Sequence, residues 1–120
     1  LLEAFYIGKP LTGKALCKDS ITEVHTMQFM IVAYDGLDEG ALNRRLAARE
    51  SHIAGAIALK NAGHLIAGGA ILDDAERMIG STIYVDFASR ADLDDWLQQD
   101  PYVIGDVWRD ITISPIRLTV

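Results

Sequence analysis

From residue 27 onward, apolar and polar positions along the chain predict strands and helices in turn. Residues 28–35 (QFMIVAYD) are mostly apolar and lead into an Asp-Gly turn, which is typical of a strand buried on both faces. Residues 64–72 (HLIAGGAIL) predict a second strand, with a kink or bulge at its Gly-Gly pair. Residues 78–87 (MIGSTIYVDF) predict a third strand, in which alternate residues from Ile83 to Phe87 face one way.

Two amphipathic helices are predicted between the strands. The first covers residues 41–62 and is followed by a glycine that stops it, and the second covers residues 90–99 with Ser89 as its N-cap. Asp100-Pro101 ends the second helix, because proline disfavours a helical residue before it. The predicted core-facing stripe of the first helix consists of Leu42, Leu46, Ile53 and Ile57.

The last apolar stretch completes a recognisable order of elements. Residues 108–120 predict a final strand, which Pro115 restricts to an edge or a bulge. The order β-α-β-β-α-β predicts an α+β, ferredoxin-like fold with a four-stranded antiparallel sheet and its helices on one face. The other face carries apolar residues that need cover, so we expect a homodimer of the dimeric α/β-barrel type, joined face to face.

Residues 1–26 do not share this periodic pattern. Gly8, Pro10 and Gly13 interrupt them, and their charges are mixed. We therefore predict an N-terminal extension over residues 1–26, which covers the sheet or the partner subunit, and a single domain over residues 27–120.

Composition narrows the expected partners and location. The formal net charge of −6 argues against a surface that binds nucleic acid. No apolar run approaches the roughly 20 residues that span a bilayer, so no membrane partner is expected. Cys17 is the only cysteine and has no internal partner for a disulfide, which favours a reducing, cytoplasmic location.

The first helix carries the first candidate chemistry. Arg45, Arg49 and His52 follow one another at i, i+4 and i+7, which places them along one side, on the shoulder of the apolar stripe. A histidine beside arginines can line a cleft and attract an anionic small molecule. In the alternative interpretation, the arginines cover the core and pair with Glu50 or Asp38.

Other polar residues leave similar alternatives open. Asp100 could cap the turn that begins at Pro101, or it could orient a histidine. The hydroxyl of Ser81 could donate to a substrate or satisfy neighbouring backbone. His25 and His64 have no metal-ligand spacing with His52, so we expect no metal site. None of the candidate residues implies a cofactor.

Three segments together resemble the YCII-related (YciI-like) family. Residues 45–52 (RLAARESH) are similar to its RLxxRxxH segment, residues 80–82 (GST) to the start of one of its strands, and residues 100–103 (DPYV) to its DPYV turn. The resemblance covers residues 27–120 and implies a dimeric, ferredoxin-like protein.

The resemblance also implies a chemistry. Family members carry a His–Asp pair in a cleft, which would be His52 and Asp100 here. In such a site we expect Arg45, Arg49, Ser81 and Tyr102 to contact the substrate. Their fold is similar to that of muconolactone isomerases, and one relative is a dehydrochlorinase. The first hypothesis is therefore an isomerase or lyase that uses His52 as acid and base and has an unknown substrate. The alternative is a non-catalytic dimer that binds a small ligand or serves in assembly.

Overall fold

The computed structural model describes residues 26–120. The predicted extension over residues 1–26, which includes Cys17 and His25, lies outside the described residues except for Thr26. The boundary at residue 27 therefore stays a prediction. In chain order, the elements are β1 (Met27–Asp35), α1 (Ala41–Asn61), β2 (Leu65–Leu72), β3 (Met78–Phe87), α2 (Arg90–Gln99), α3 (Pro101–Ile104) and β4 (Trp108–Ile116). These bounds confirm the predicted elements closely. The largest difference is at the last strand, which ends at Ile116 rather than at residue 120.

The strands form one antiparallel sheet in the order β2-β3-β1-β4. Ile31 in the middle of β1 pairs with Ile83 of β3 on one side and with Ile113 of β4 on the other. Pro115 lies in β4, which is an edge strand as predicted. This topology confirms the ferredoxin-like α+β fold. No helix in residues 26–120 is long and apolar enough to cross a membrane.

The core lies between the sheet and the helices. The buried face of β1 carries Phe29, Ile31 and Ala33, and the predicted alternation of β3 is confirmed by burial of Ile83, Val85 and Phe87. The prediction that the first strand is buried on both faces is not met within one chain. Tyr34, on the other face, is 43% exposed because the helices cover only one side.

The helix α1 faces the sheet with a different side from the one predicted. Leu46, Ile53 and Ile57 are 52%, 40% and 56% exposed, so the predicted core-facing stripe is wrong. The buried residues of α1 are Ala41, Arg45, His52 and Leu59. Arg45 and His52 therefore point towards the sheet instead of lying on the shoulder of the helix. Their polar groups find partners that lie far away in the sequence, which makes this burial tolerable.

Candidate active site

A buried ion pair anchors the first turns of α1 to the end of β1. Arg45 Nη1 donates to both carboxylate oxygens of Asp35, at 2.9 and 3.1 Å, and both side chains are 3% exposed. Arg45 Nη2 donates to Ser81 Oγ at 2.8 Å, and Trp108 Nε1 donates to the same oxygen at 3.1 Å. Burial of two charges is costly unless their geometry and remaining hydrogen bonds are good, and this pair meets that condition apart from Arg45 Nε, which has no partner in the described chain.

Close backbone packing places Ser81 beside β1. A Cβ atom on the preceding residue, Gly80, would lie 2.5 Å from the carbonyl oxygen of Ala33, which is too close for any side chain. Glycine at this position therefore lets β3 and β1 approach, and Ser81 follows with its side chain on the helix face of the sheet, 3% exposed. This close backbone contact explains why a glycine precedes Ser81 in the Gly-Ser-Thr segment.

The second polar pair joins α1 to the start of α3. His52 Nδ1 lies 2.9 Å from Asp100 Oδ2 and 3.1 Å from Oδ1. Asp100 Oδ2 also accepts from the backbone N–H of Tyr102 at 2.9 Å and so caps α3. Both interpretations of Asp100 therefore describe real contacts. Because an ionised carboxylate only accepts hydrogen bonds, Nδ1 carries the proton of the neutral imidazole and Nε2 is left with a free lone pair.

Aromatic rings enclose His52. Its ring stacks on Tyr102 with centroids 3.8 Å apart and planes 13° apart, and the edge of Trp108 lies 5.5 Å away. The guanidinium carbon of Arg45 lies 4.8 Å from the centroid of the Tyr102 ring. Burial raises the pKa of the Tyr102 phenol, so this hydroxyl stays protonated through the neutral range.

These side chains border a cavity of about 300 Å³ between α1, the sheet and the later helices. Its lining includes the predicted site residues Arg45, Arg49, His52, Ser81 and Tyr102. Asp100 does not border the cavity and contacts it only through His52. Part of its floor is strand β2, where Gly68 and Ala70 pair with Ile83 and Ser81 on the helix face of the sheet. The small size of these two residues leaves the space open. Apolar walls are completed by residues that include Ile53, Leu59, Met78 and Trp96.

Arg49 differs from Arg45. It is exposed, borders the cavity and makes no salt bridge within residues 26–120, whereas Arg45 is buried and already paired. Within residues 26–120, neither arginine pairs with Asp38 or Glu50, and Asp38 pairs with Arg44 and Arg109 instead.

Sequence reasoning missed Asp35 and Trp108, which complete the buried network around Ser81. A signal for Asp35 was present, because an acidic residue closes an otherwise apolar strand. Its partner Arg45, however, lies 10 residues further along the chain, and the helical pattern predicts that Arg45 lies on the shoulder of α1 rather than in the core. Trp108 begins the last strand and offered no comparable signal.

Among the described residues, no group of three histidine, cysteine, aspartate or glutamate side chains is placed to hold a metal ion. His64 lies apart from the cavity, where its Nδ1 contacts the carbonyl oxygen of Asp86 at 2.8 Å and its ring stacks on Phe87.

The fold and the site define a ferredoxin-like α+β domain with a small cavity beneath its first helix, and comparison with known proteins gives the family. A family model described as the YCII-related domain matches residues 27–117. The chain belongs to this family. An uncharacterized protein of Haemophilus influenzae is 32% identical over 97 residues, which cover 76% of this chain and 97% of that protein. Protein YciI of Escherichia coli is 30% identical over the same coverage.

A solved structure shares the fold. It is the 5-chloro-2-hydroxyhydroquinone dehydrochlorinase of Burkholderia phenoliruptrix, in complex with 2,5-dihydroxybenzoquinone. The TM-score is 0.66 at 22% sequence identity, and the match covers 76% of this chain and 94% of that chain.

Proposed function

We propose that this protein is a small-molecule enzyme in which His52 serves as general base and acid, oriented by Asp100. One observation carries the proposal: His52 lines a cavity while its Nδ1 lies 2.9 Å from a carboxylate that is 3% exposed. That contact fixes the ring and its tautomer, so Nε2 is the nitrogen that can take a proton from a bound molecule.

The reaction class is proton abstraction next to a carbonyl, with isomerisation or loss of HCl as its outcome. In an elimination, His52 Nε2 would accept the substrate proton, the freed electron pair would form a double bond, and chloride would leave from the neighbouring carbon. In an isomerisation, the same nitrogen would return the proton to another carbon. Neither reaction transfers electrons to a separate acceptor, so no redox cofactor is required.

Size and charge indicate the substrate. A cavity of about 300 Å³ is at the lower end of the range for ligand sites, so a molecule with a single ring would fill it. Trp96 contributes apolar surface to the lining, whereas the ring of Tyr102 packs against His52 and Arg45. Arg49 supplies a positive charge without a salt-bridge partner in the described chain. We therefore propose a small planar molecule with anionic character, and the bound quinone of the dehydrochlorinase with the same fold supports this choice.

The test is a screen of chlorinated hydroquinones and small unsaturated lactones as substrates. Turnover is measured as chloride release and as a change in ultraviolet absorbance. His52→Ala should abolish turnover of any substrate found, whereas His64→Ala, which removes a histidine outside the cavity, should leave turnover unchanged. Activity that survives His52→Ala would remove this residue from the mechanism.

The alternative function is a non-catalytic ligand-binding or assembly module. Asp100 favours it in one respect, because the same carboxylate caps α3 and so has a structural role without any reaction. Such a module would bind the quinone or a lactone and release it chemically unchanged, which mass spectrometry of the recovered ligand would show.

We also propose that two copies pair through the open face of the sheet, in the cytoplasm. Tyr34 is 43% exposed on this face of the central strand β1, next to the partly buried Val32. Light scattering should give the mass of a dimer, and Val32→Lys should reduce it to that of a monomer. A monomeric wild-type protein would refute this pairing.

A further inference from the structure

The hydrogen bonds around Ser81 leave its hydroxyl proton without an acceptor in the part of the chain that the structure describes. A serine hydroxyl has two lone pairs and one proton. Arg45 Nη2 and Trp108 Nε1 both donate to Ser81 Oγ, at 2.8 and 3.1 Å, so both lone pairs are used. Neither donor can accept a hydrogen bond in return. Within residues 26–120 the Ser81 O–H makes no hydrogen bond to another group, and Ser81 lines the cavity.

We infer that Ser81 is a fixed hydrogen-bond donor to an oxygen atom of the bound molecule, and that Asp35, Arg45 and Trp108 are positioning residues that act through it. Asp35 binds Arg45 Nη1 with both carboxylate oxygens and thereby directs Nη2 at Ser81. Trp108 and Asp35 are not among the residues that border the cavity, so their influence on a ligand must pass through the residues they hold.

Arg45 strengthens this donor. A hydroxyl oxygen that accepts from a guanidinium is polarised, and hydrogen bonds in a buried chain reinforce one another. Arg45 itself borders the cavity, but its two Nη atoms are already bonded to Asp35 and Ser81. Because Asp35 neutralises this guanidinium and Arg45 Nε is buried without a partner in residues 26–120, Arg45 acts on the ligand by polarising the Ser81 O–H.

This arrangement specifies the substrate class, and to that extent it rests on the proposed function. A donor at Ser81 and a base at His52 suit a small planar molecule with a carbonyl oxygen beside an acidic C–H or O–H. The Ser81 O–H would stabilise the negative charge that develops on the oxygen as His52 removes the proton.

The first experiment needs no ligand. In Ser81→Ala, the Trp108 indole loses its acceptor, so its Nε1–H resonance should move upfield and exchange faster with water than in the wild type. Thr82→Val removes a hydroxyl from the adjacent position, which faces the opposite side of the sheet, and should leave this resonance unchanged. An unaltered Trp108 signal in Ser81→Ala would overturn the network.

The second experiment measures binding of 2,5-dihydroxybenzoquinone and of p-xylene, which has a similar shape but no oxygen. Ser81→Ala should weaken quinone binding by about 10- to 100-fold and leave p-xylene binding unchanged, as expected for loss of one hydrogen bond to a charged or polarised group. Trp108→Phe, which keeps Ser81, should weaken quinone binding several-fold, but it should have no further effect in the Ser81→Ala background.

Three results would overturn the inference: equal affinities of wild type and Ser81→Ala for the quinone, additive effects of the two substitutions, or no quinone binding by the wild type at millimolar concentration. Failure of the proposed function gives a different pattern. In that case quinone binding still depends on Ser81, but no turnover depends on His52.

Discussion

The Asp100 carboxylate joins His52 to the backbone of α3 through one oxygen atom. Oδ2 lies 2.9 Å from His52 Nδ1 and 2.9 Å from the backbone nitrogen of Tyr102. The cap on α3 therefore fixes the carboxylate that fixes the imidazole. His52 also stacks on the ring of Tyr102, so α3 orients the histidine twice: once through the Tyr102 backbone N–H, which holds Asp100, and once through the Tyr102 side chain.

This shared oxygen makes Asp100→Asn an informative substitution. The Tyr102 N–H requires an acceptor, so the amide oxygen of Asn should take the place of Oδ2, which lies 2.9 Å from Tyr102 N and from His52 Nδ1. Nδ1–H then keeps an acceptor, but the negative charge that would stabilise the imidazolium formed on proton transfer is lost. We expect turnover in the proposed reaction to fall by about 10²- to 10⁴-fold, the usual contribution of a general base, while the fold is retained. Nitrogen-15 NMR of the His52 ring should show the same tautomer in both proteins. Turnover equal to that of the wild type would contradict this account.

The buried ion pair should be costly to break and cheap to replace. Arg45→Met leaves the Asp35 carboxylate buried without a partner, which should lower the free energy of unfolding by about 3–5 kcal/mol. The double variant Asp35→Leu, Arg45→Met removes both charges and should recover most of that loss. Urea denaturation measures both effects. Arg90→Met, which breaks an exposed pair with Asp94, is the control and should cost less than about 1 kcal/mol. A double variant no more stable than Arg45→Met would refute the unpaired-charge explanation.

The sequence predicts most of the fold because its strands carry local signals. The alternation around Ile83, the Ser89 cap and the Asp100-Pro101 stop each depend on neighbouring residues, and each is found as predicted. The face of α1 was predicted wrongly because its apolar residues, such as Leu46 and Ile57, lie outside while Arg45 and His52 lie inside.

The face of α1 was predicted wrongly because it is determined by contacts between residues far apart in the sequence. His52 and Asp100 are 48 residues apart, and Arg45 and Ser81 are 36 residues apart, so no local pattern shows that these polar groups are satisfied in the interior. A helical period gives the spacing of a face but not its direction. The resemblance to a family predicts the pairing of His52 with Asp100, whereas the contacts of Asp35 and Trp108 are seen only in the structure.

Acid should destabilise the protein through its surface carboxylates. Hydrogen bonds from Arg44 hold the pKa of Asp38 well below its usual value, and the pKa of Asp106 is lowered by Arg109. A carboxyl group with a lower pKa in the folded state stabilises that state above its unfolded pKa, about 4, and this contribution is lost as the pH falls through the folded pKa. The urea midpoint should therefore fall below pH 4.

One variant and one change of salt concentration test whether Asp38 causes this loss of stability in acid. Asp38→Asn should have a lower midpoint at pH 7 and a shallower decline between pH 5 and 2 than the wild type. Because these groups are exposed, 0.5 M NaCl should reduce the difference between the two proteins. Parallel pH profiles for wild type and Asp38→Asn would show that Asp38 does not contribute.

Gly68 should control access to the cavity, because it leaves the floor open beneath α1. A Cβ atom built there lies 3.5 Å from Ile83 Cγ2 and 3.4 Å from the carbonyl oxygen of Thr82, so a side chain can start without severe overlap. The methyl groups of Gly68→Val should then occupy space in the cavity. We expect binding of 2,5-dihydroxybenzoquinone to weaken by about 10- to 100-fold, in line with the cost of forcing extra methyl groups into a filled site. Gly69→Val is the matched control: the backbone of Gly69 also borders the cavity, but a Cβ atom there meets nothing within 4 Å and, like the side chain of its strand partner Thr82, would lie on the opposite face of the sheet. Equal quinone affinities for Gly68→Val and Gly69→Val, with both proteins folded, would mean that the ligand does not enter beneath α1.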